Sequence, residues 1–305
     1  MEKVNYLGQP DCYKLSNEAV ELIVTTNTGP RIVRYAFRDG ENILGEVPDT
    51  VIKTDLGEWK PLGGHRLWAA PESSPRSYAP DNEPVAFEVE GNNAIRLTQK
   101  TEAGTGLQKE MTIELDAEGT CVQVHHKITN RSLWAIELSP WALTIMRGGG
   151  EVIIPQEPYR AHSEYLLPAR PLVLWHYTNL SDQRWTLGTK YIRLRTDERL
   201  AEPQKIGVSN KQGWAAYRLG QTLFVKRADF TEGAPYPDYG CNFETFTAGT
   251  FIELESLAPL SRLEPGAAAT HTERWFLFHT EVPDTTEDGE DGLEAILTSL
   301  LTQTR

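Results

Sequence analysis

The sequence predicts an all-β fold, a large antiparallel sandwich finished by one short C-terminal helix. Three observations lead there. About 15 short runs alternate apolar and polar residues at the strand period of two. The joints between them are turn chemistry, such as Asn27-Thr28-Gly29-Pro30 and Asp39-Gly40. Only residues 292–301 repeat at the helical period, with Leu293, Ile296, Leu297 and Leu300 on one side.

The elements follow in order. Residues 19–25 and 31–37 alternate about the Asn-Thr-Gly-Pro turn and open a meander. Residues 45–84, rich in Gly and Pro with several Ser, lack periodicity and read as a long excursion. Strands resume at 85–89, 94–98, 107–115 and 121–128; the adjacent His125 and His126 point to opposite faces there and cannot both serve one site. Residues 133–138, 139–146 and 151–155 come next. Residues 156–189 carry Tyr159, Tyr165, Trp175, Tyr177 and Trp185 with weak periodicity, and either cover a groove or pack over a sheet end. Further strands at 190–195, 205–208, 213–219 and 221–227 lead through a Gly- and Pro-rich loop to 251–257 and a closing strand at 270–278. The expected organisation is one β unit over 1–280, then a tail over 281–305 made of an acidic linker and the helix.

A hydrophobic share of 39% and a charged share of 24% over 305 residues suit a folded chain with a sizeable core. The formal charge of −13, with no compensating basic stripe, argues against nucleic acid as a partner. Residues 1–6 lack the apolar core of a signal peptide and no run approaches bilayer-spanning length, so a cytoplasmic location with no membrane partner is expected. Cys12, Cys121 and Cys241 are odd in number and widely spaced, matching neither a disulfide framework nor zinc spacing. No Gly-rich phosphate loop or Gly-x-Ser-x-Gly elbow occurs.

Two stretches carry candidate chemistry. In residues 251–257 the strand period puts Phe251, Glu253 and Glu255 on one face and Ile252 and Leu254 on the other. Two carboxylates on one strand face mark either its solvent side or the lining of a concave site. The second stretch, Gly63-Gly64-His65-Arg66-Leu67-Trp68, supplies a titratable ring, a fixed cation and a flat apolar surface after two permissive glycines. It serves a site, or His65 and Arg66 merely tie down their own loop.

On these residues the chain resembles the galactose mutarotase-like superfamily, the aldose 1-epimerases and their relatives, whose fold is a β-supersandwich. Thr28-Gly29-Pro30-Arg31 through Asp39-Gly40 is similar to the superfamily's first hairpin. Gly63-Gly64-His65-Arg66 lies where those proteins place sugar-binding groups. Phe251-Ile252-Glu253-Leu254-Glu255-Ser256, with Glu264-Pro265-Gly266 after it, resembles the strand bearing their catalytic glutamate. A bacterial branch sharing Gly-Gly-His-Arg, Ser-Pro-Trp-Ala-Leu-Thr and Asn-Phe-Glu…Glu-Leu-Glu is most similar. The chain departs from the pattern at Ser139-Pro140-Trp141, where mutarotases carry a histidine acid.

The resemblance implies a small sugar as partner and anomer interconversion without a cofactor or metal. A base takes the anomeric hydroxyl proton and an acid protonates the ring oxygen, so the ring opens, rotates and recloses. Glu255 takes the base's place with Glu253 beside it, and His65 is the candidate acid, with Lys226 a weaker substitute. Trp68 and Trp141 would stack on the ring, and Asn242 and Glu244 would bond its hydroxyls. Arg31, Arg66 and Lys226, if gathered in one pocket, would favour an anionic sugar. Three readings stay open: an isomerase of this type, a sugar-binding protein without catalysis, and a lyase or hydrolase using Glu255.

Overall fold

The alternating runs pair into two long antiparallel sheets in a computed structural model that describes residues 1–91, 93–280 and 289–304. In the first sheet the order is Glu2–Tyr6, Gln9–Ser16, Val20–Val24, Ile32–Phe37, His65–Ala70, Ile136–Met146, Phe251–Leu257, Phe243–Ala248, Gln204–Val208 and Leu172–Leu174. In the second it is Ala86–Glu90, Ala94–Thr98, Leu107–Leu115, Val122–Asn130, Ala268–His279, Thr222–Ala228, Trp214–Leu219, Glu151–Pro155, Tyr191–Arg195 and Trp185–Leu187. Inward residues of both sheets, among them Leu67, Ile252 and Leu254 from the first and Ile113, Val124 and Phe224 from the second, form one apolar core. The chain is therefore an all-β antiparallel sandwich, as the periodicity predicts.

The excursion expected over residues 45–84 is wrong in its most consequential part. His65–Ala70 is a strand at the centre of the first sheet, buried along its whole length. A strand covered on both faces has no wet side, so the alternation that reveals half-exposed strands is missing from it. Short strands at Ile52–Thr54 and Gly57–Trp59 pair into a separate hairpin in the same region. Gly64, with φ of +63°, precedes His65; a Cβ there would come within 2.0 Å of the Ile32 carbonyl oxygen, so only glycine lets these strands approach.

The helix spans Gly289–Leu301, beginning before the expected residue 292. Its start is fixed by Glu290, whose carboxylate accepts backbone N–H bonds from Thr189, Lys190 and Tyr191 at 2.8–3.0 Å. Leu293 and Leu297 are buried against Ile153, Trp214 and Val225 of the second sheet. Most of the acidic linker expected over 281–291 lies outside the described residues.

Between the sheets runs a polar chain inside the apolar core. Lys226 donates to Glu273 (2.8 Å), to the Leu254 carbonyl (3.0 Å) and to Thr144 Oγ1 (2.7 Å). Having accepted there, the Thr144 hydroxyl donates to His65 Nδ1 at 2.8 Å. His65 Nε2–H then donates to His126 Nε2 at 2.7 Å, and His126 Nδ1–H to the His271 carbonyl at 3.0 Å. His271 meets Ser256 Oγ at 2.6 Å, Ser256 donates to Glu273 at 2.5 Å, and Trp275 Nε1 donates to the other Glu273 oxygen at 2.8 Å. With His65 and His126 neutral, as their burial favours, each of their protons has one place. Burial holds His65 well below its ordinary value, His126 at about 3 and His271 at about 4.

Candidate functional site

The outer face of the first sheet forms a cleft of about 530 Å³. Its floor follows from strand register. Trp68 lies opposite Trp141, which lies opposite Leu257. One step along, Arg66, Leu143, Glu255 and Glu244 form a row that ends on Gly207. The next row is Ile145, Glu253, Phe246 and Lys205. The hairpin Trp59, with Tyr78, closes one side against Trp68, and Trp175 and Tyr177 close the other. A larger recess beneath residues 157–171 lacks such a set of buried charges, so the aromatic cleft is the candidate site.

Two charged clusters lie at this floor. Arg66 Nη2 donates to Glu253 at 2.9 Å, and its guanidinium stacks 4.5 Å from the Trp68 ring. Lys205 touches Glu244 at 2.8 Å and Glu255 at 3.0 Å while its ammonium sits 4.7 Å from Trp141 and 4.8 Å from Trp175. Glu255 also accepts from Trp141 Nε1 at 2.8 Å. Burial alone would lower the Lys205 ammonium, but Glu244 and Glu255 outweigh it and hold it well above its ordinary value. Burial raises both carboxyls, Glu244 strongly, although Lys205 pulls the other way.

The expected site residues therefore divide. Arg66, Trp68, Trp141 and Glu253 line the cleft. Glu255 and Glu244 share its face one layer down, fully covered, with Lys205 above them. His65 and Lys226 do not join them, because on their strands the alternation sends both side chains into the interior polar chain. The expectation of His65 as acid partner to Glu255 is corrected: a sheet separates the two. Arg31 is buried against Asp81 at 2.5 Å and supports the site from behind, through Asp81, which also accepts from Trp59 Nε1 at 3.1 Å, and through the carbonyl of Pro61 at 3.3 Å. Asn242 spends its amide on Asn210, accepting from its backbone N–H at 2.6 Å and donating to its carbonyl at 2.9 Å. Arg31, Arg66 and Lys226 do not gather in one pocket; each pairs with its own carboxylate.

Sequence reasoning gave no role to Lys205, Trp59 or Tyr78; Trp175 and Tyr177 belong to the segment for which covering a groove was one of two readings. Lys205 was visible as a lone cation beside Gly207 in a buried strand, and Gly207 is the reason Trp175 can fold over the row: a Cβ there would meet Cys241 Sγ at 2.5 Å and Trp175 at 3.3 Å. Trp59 gave no such signal, since the short hairpin that carries it is placed by tertiary contacts.

No protein-family model matches the sequence, and no curated protein matches it. Solved structures do. A putative mutarotase from Salmonella typhimurium superposes with a TM-score of 0.58 at 11% identity, over 90% of this chain and 92% of its own. A putative aldose 1-epimerase from Escherichia coli K12 gives 0.54 at 14% identity, over 88% and 99%. A galactose mutarotase-like protein from Lactobacillus casei gives 0.53 at 12%, over 88% and 100%. A TPR-domain containing protein from Parabacteroides distasonis gives 0.59 at 14%; this chain covers 90% of itself but only 48% of that protein. The chain has the galactose mutarotase-like fold. No helix among the described residues is long and apolar enough to cross a membrane.

Proposed function

We propose that the cleft binds a sugar and that the chain interconverts its anomers by general acid/base ring opening. The observation that carries this reading is the pairing, within one aromatic-walled cleft, of a carboxylate and an ammonium on the same row of the sheet. Glu253 and Lys205 stand two strands apart with Phe246 between them. At about 4.8 Å per strand their backbones are roughly 10 Å apart, so a pyranose fits between the side chains over an aromatic floor. Glu253 is placed to take the proton of the anomeric hydroxyl, and Lys205 to meet the ring oxygen. Glu255, the base the resemblance implies, lies under Trp141 and Lys205 and acts on the sugar through Lys205.

Because Arg31, Arg66 and Lys226 each pair with a carboxylate of their own, and Lys205 with two, the charge arrangement favours a neutral sugar over the anionic one expected had the first three gathered. The absence of His65 from the cleft favours the second reading, a sugar-binding protein without catalysis. Polarimetry or NMR on freshly dissolved α-sugars separates the two. We expect faster approach to anomeric equilibrium for at least one sugar that binds. Binding across a panel with no acceleration would leave only the binding reading, and no binding at all would remove both.

A further inference from the structure

Beneath the cleft lies a proton balance that the ion pairs do not close. Glu244 and Glu255 sit directly opposite each other on paired strands and both touch the single nitrogen of Lys205, at 2.8 and 3.0 Å. Two oxygens on one nitrogen at those distances are no more than about 6 Å apart, and both carboxyls are fully buried, where like charges repel with little screening. Their surroundings differ. Glu255 is served by Lys205 and by Trp141 Nε1, whereas neither Glu244 oxygen receives a well-directed donor. Beside Glu244 stands a third carboxyl, Asp238, held with φ of +49° on the turn before Cys241, and its charge raises Glu244 further. Three carboxyls around one ammonium leave excess negative charge in a buried site, which a proton on one of them removes.

We propose that Glu244 carries a proton at neutral pH and that this carboxylic acid is the proton source which resupplies Lys205. The groups facing it are Lys205, Glu255, Asp238, Cys241 and Tyr177. With one ammonium, one carboxylate and one carboxylic acid, the Lys205–Glu255–Glu244 cluster is neutral, which is the state a buried site tolerates. Asp238 is only partly covered and so offers a path by which the proton exchanges with solvent. Resting on the ring-opening reading, the transfer balances: Lys205 gives its proton to the ring oxygen, the Glu244 proton moves to the Lys205 amine, and ring closure reverses both. Glu244 is then a positioning residue that acts through Lys205, and supplies the acid that the interior place of His65 leaves missing.

The proton itself is tested on the free protein, without any sugar. Infrared difference spectra at pH 7 should show the carbonyl stretch of a protonated carboxylic acid, lost in Glu244→Gln, shifted in Asp238→Asn and weakened or lost in Glu255→Gln, where Lys205 is left to pair with an ionised Glu244. No such band in the wild type, or one that survives Glu244→Gln, would overturn the proposal. If Glu244→Gln does not fold, an unshifted band in Asp238→Asn, or a band unaffected by Glu255→Gln, has the same force. For any sugar the wild type accelerates, Glu244→Gln should lower the rate about 10²-fold while sugar affinity holds; a lost band with an unchanged rate would overturn the resupply role. Absence of acceleration in the wild type would count against the ring-opening reading and leave the infrared result standing.

Discussion

Acidification should act on the interior histidines before it acts on the cleft. His271 lies inside the sandwich with its ring on Ser256, and burial holds it at about 4, against about 6.5 in an unfolded chain. A folded value below the unfolded one means that the neutral ring stabilises the fold above pH 6.5, and that this stability is lost as pH falls from there toward 4. At pH 5 the unfolded ring sits 1.5 units below its midpoint, which at about 1.36 kcal/mol per unit makes a loss of about 2 kcal/mol from His271 alone. His126, held at about 3, adds a similar amount over the same interval. Glu244 and Glu255, both raised, act with the opposite sign, since the folded state takes up their protons first as pH falls. Comparing wild type with His271→Asn cancels those carboxyl contributions. Urea unfolding of both chains at pH 7 and pH 5 should show the advantage of wild type shrinking by about 2 kcal/mol. A gap that does not change with pH, or an imidazole NMR titration placing His271 near 6.5, would refute the neutral-ring assignment.

Three further outcomes are expected. Lys205→Met leaves Glu244 and Glu255 buried without their cation and should cost about 3–5 kcal/mol in urea unfolding. Glu253→Gln should lower any sugar isomerisation rate by about 10²- to 10⁴-fold and, because it leaves the buried Arg66 without its carboxylate, should also lower the thermal midpoint. Leu297→Ala removes a buried side chain that fixes the C-terminal helix to the second sheet and should cost about 2–5 kcal/mol, read by thermal unfolding.

How much of this was legible depends on burial. Strands with one wet face, such as Leu107–Leu115, announce themselves by alternation, and the fold class rests on them. The face assignment of Phe251–Leu257 also follows from period alone: Glu253 and Glu255 share the cleft face, with Ile252 and Leu254 behind. The His65–Ala70 strand is hidden because both its faces are covered, and reading it as a loop removed the one fact that places His65. On a loop, His65 and Arg66 have no fixed relation; on a strand they must point to opposite sides, and they do. The aromatic walls at Trp59, Trp175 and Tyr177 come from segments whose course is set by tertiary contacts, which no local period encodes.

The hairpin joining Phe243–Ala248 to Phe251–Leu257 has only Gly249 and Thr250 between its paired ends, with Gly249 at φ of +68°. That turn decides which residues of the second strand see which environment. Removing one of its two residues would shift the strand by one position and exchange its faces, bringing Glu253 and Glu255 into the apolar core and turning Leu254 and Ser256 toward the cleft. The cleft acids and the Ser256 link to His271 and Glu273 would be lost in the same event. Length variation is therefore excluded at this tip even though it lies at the sheet end, where loops ordinarily tolerate insertion, and two separate networks depend on a single turn staying two residues long.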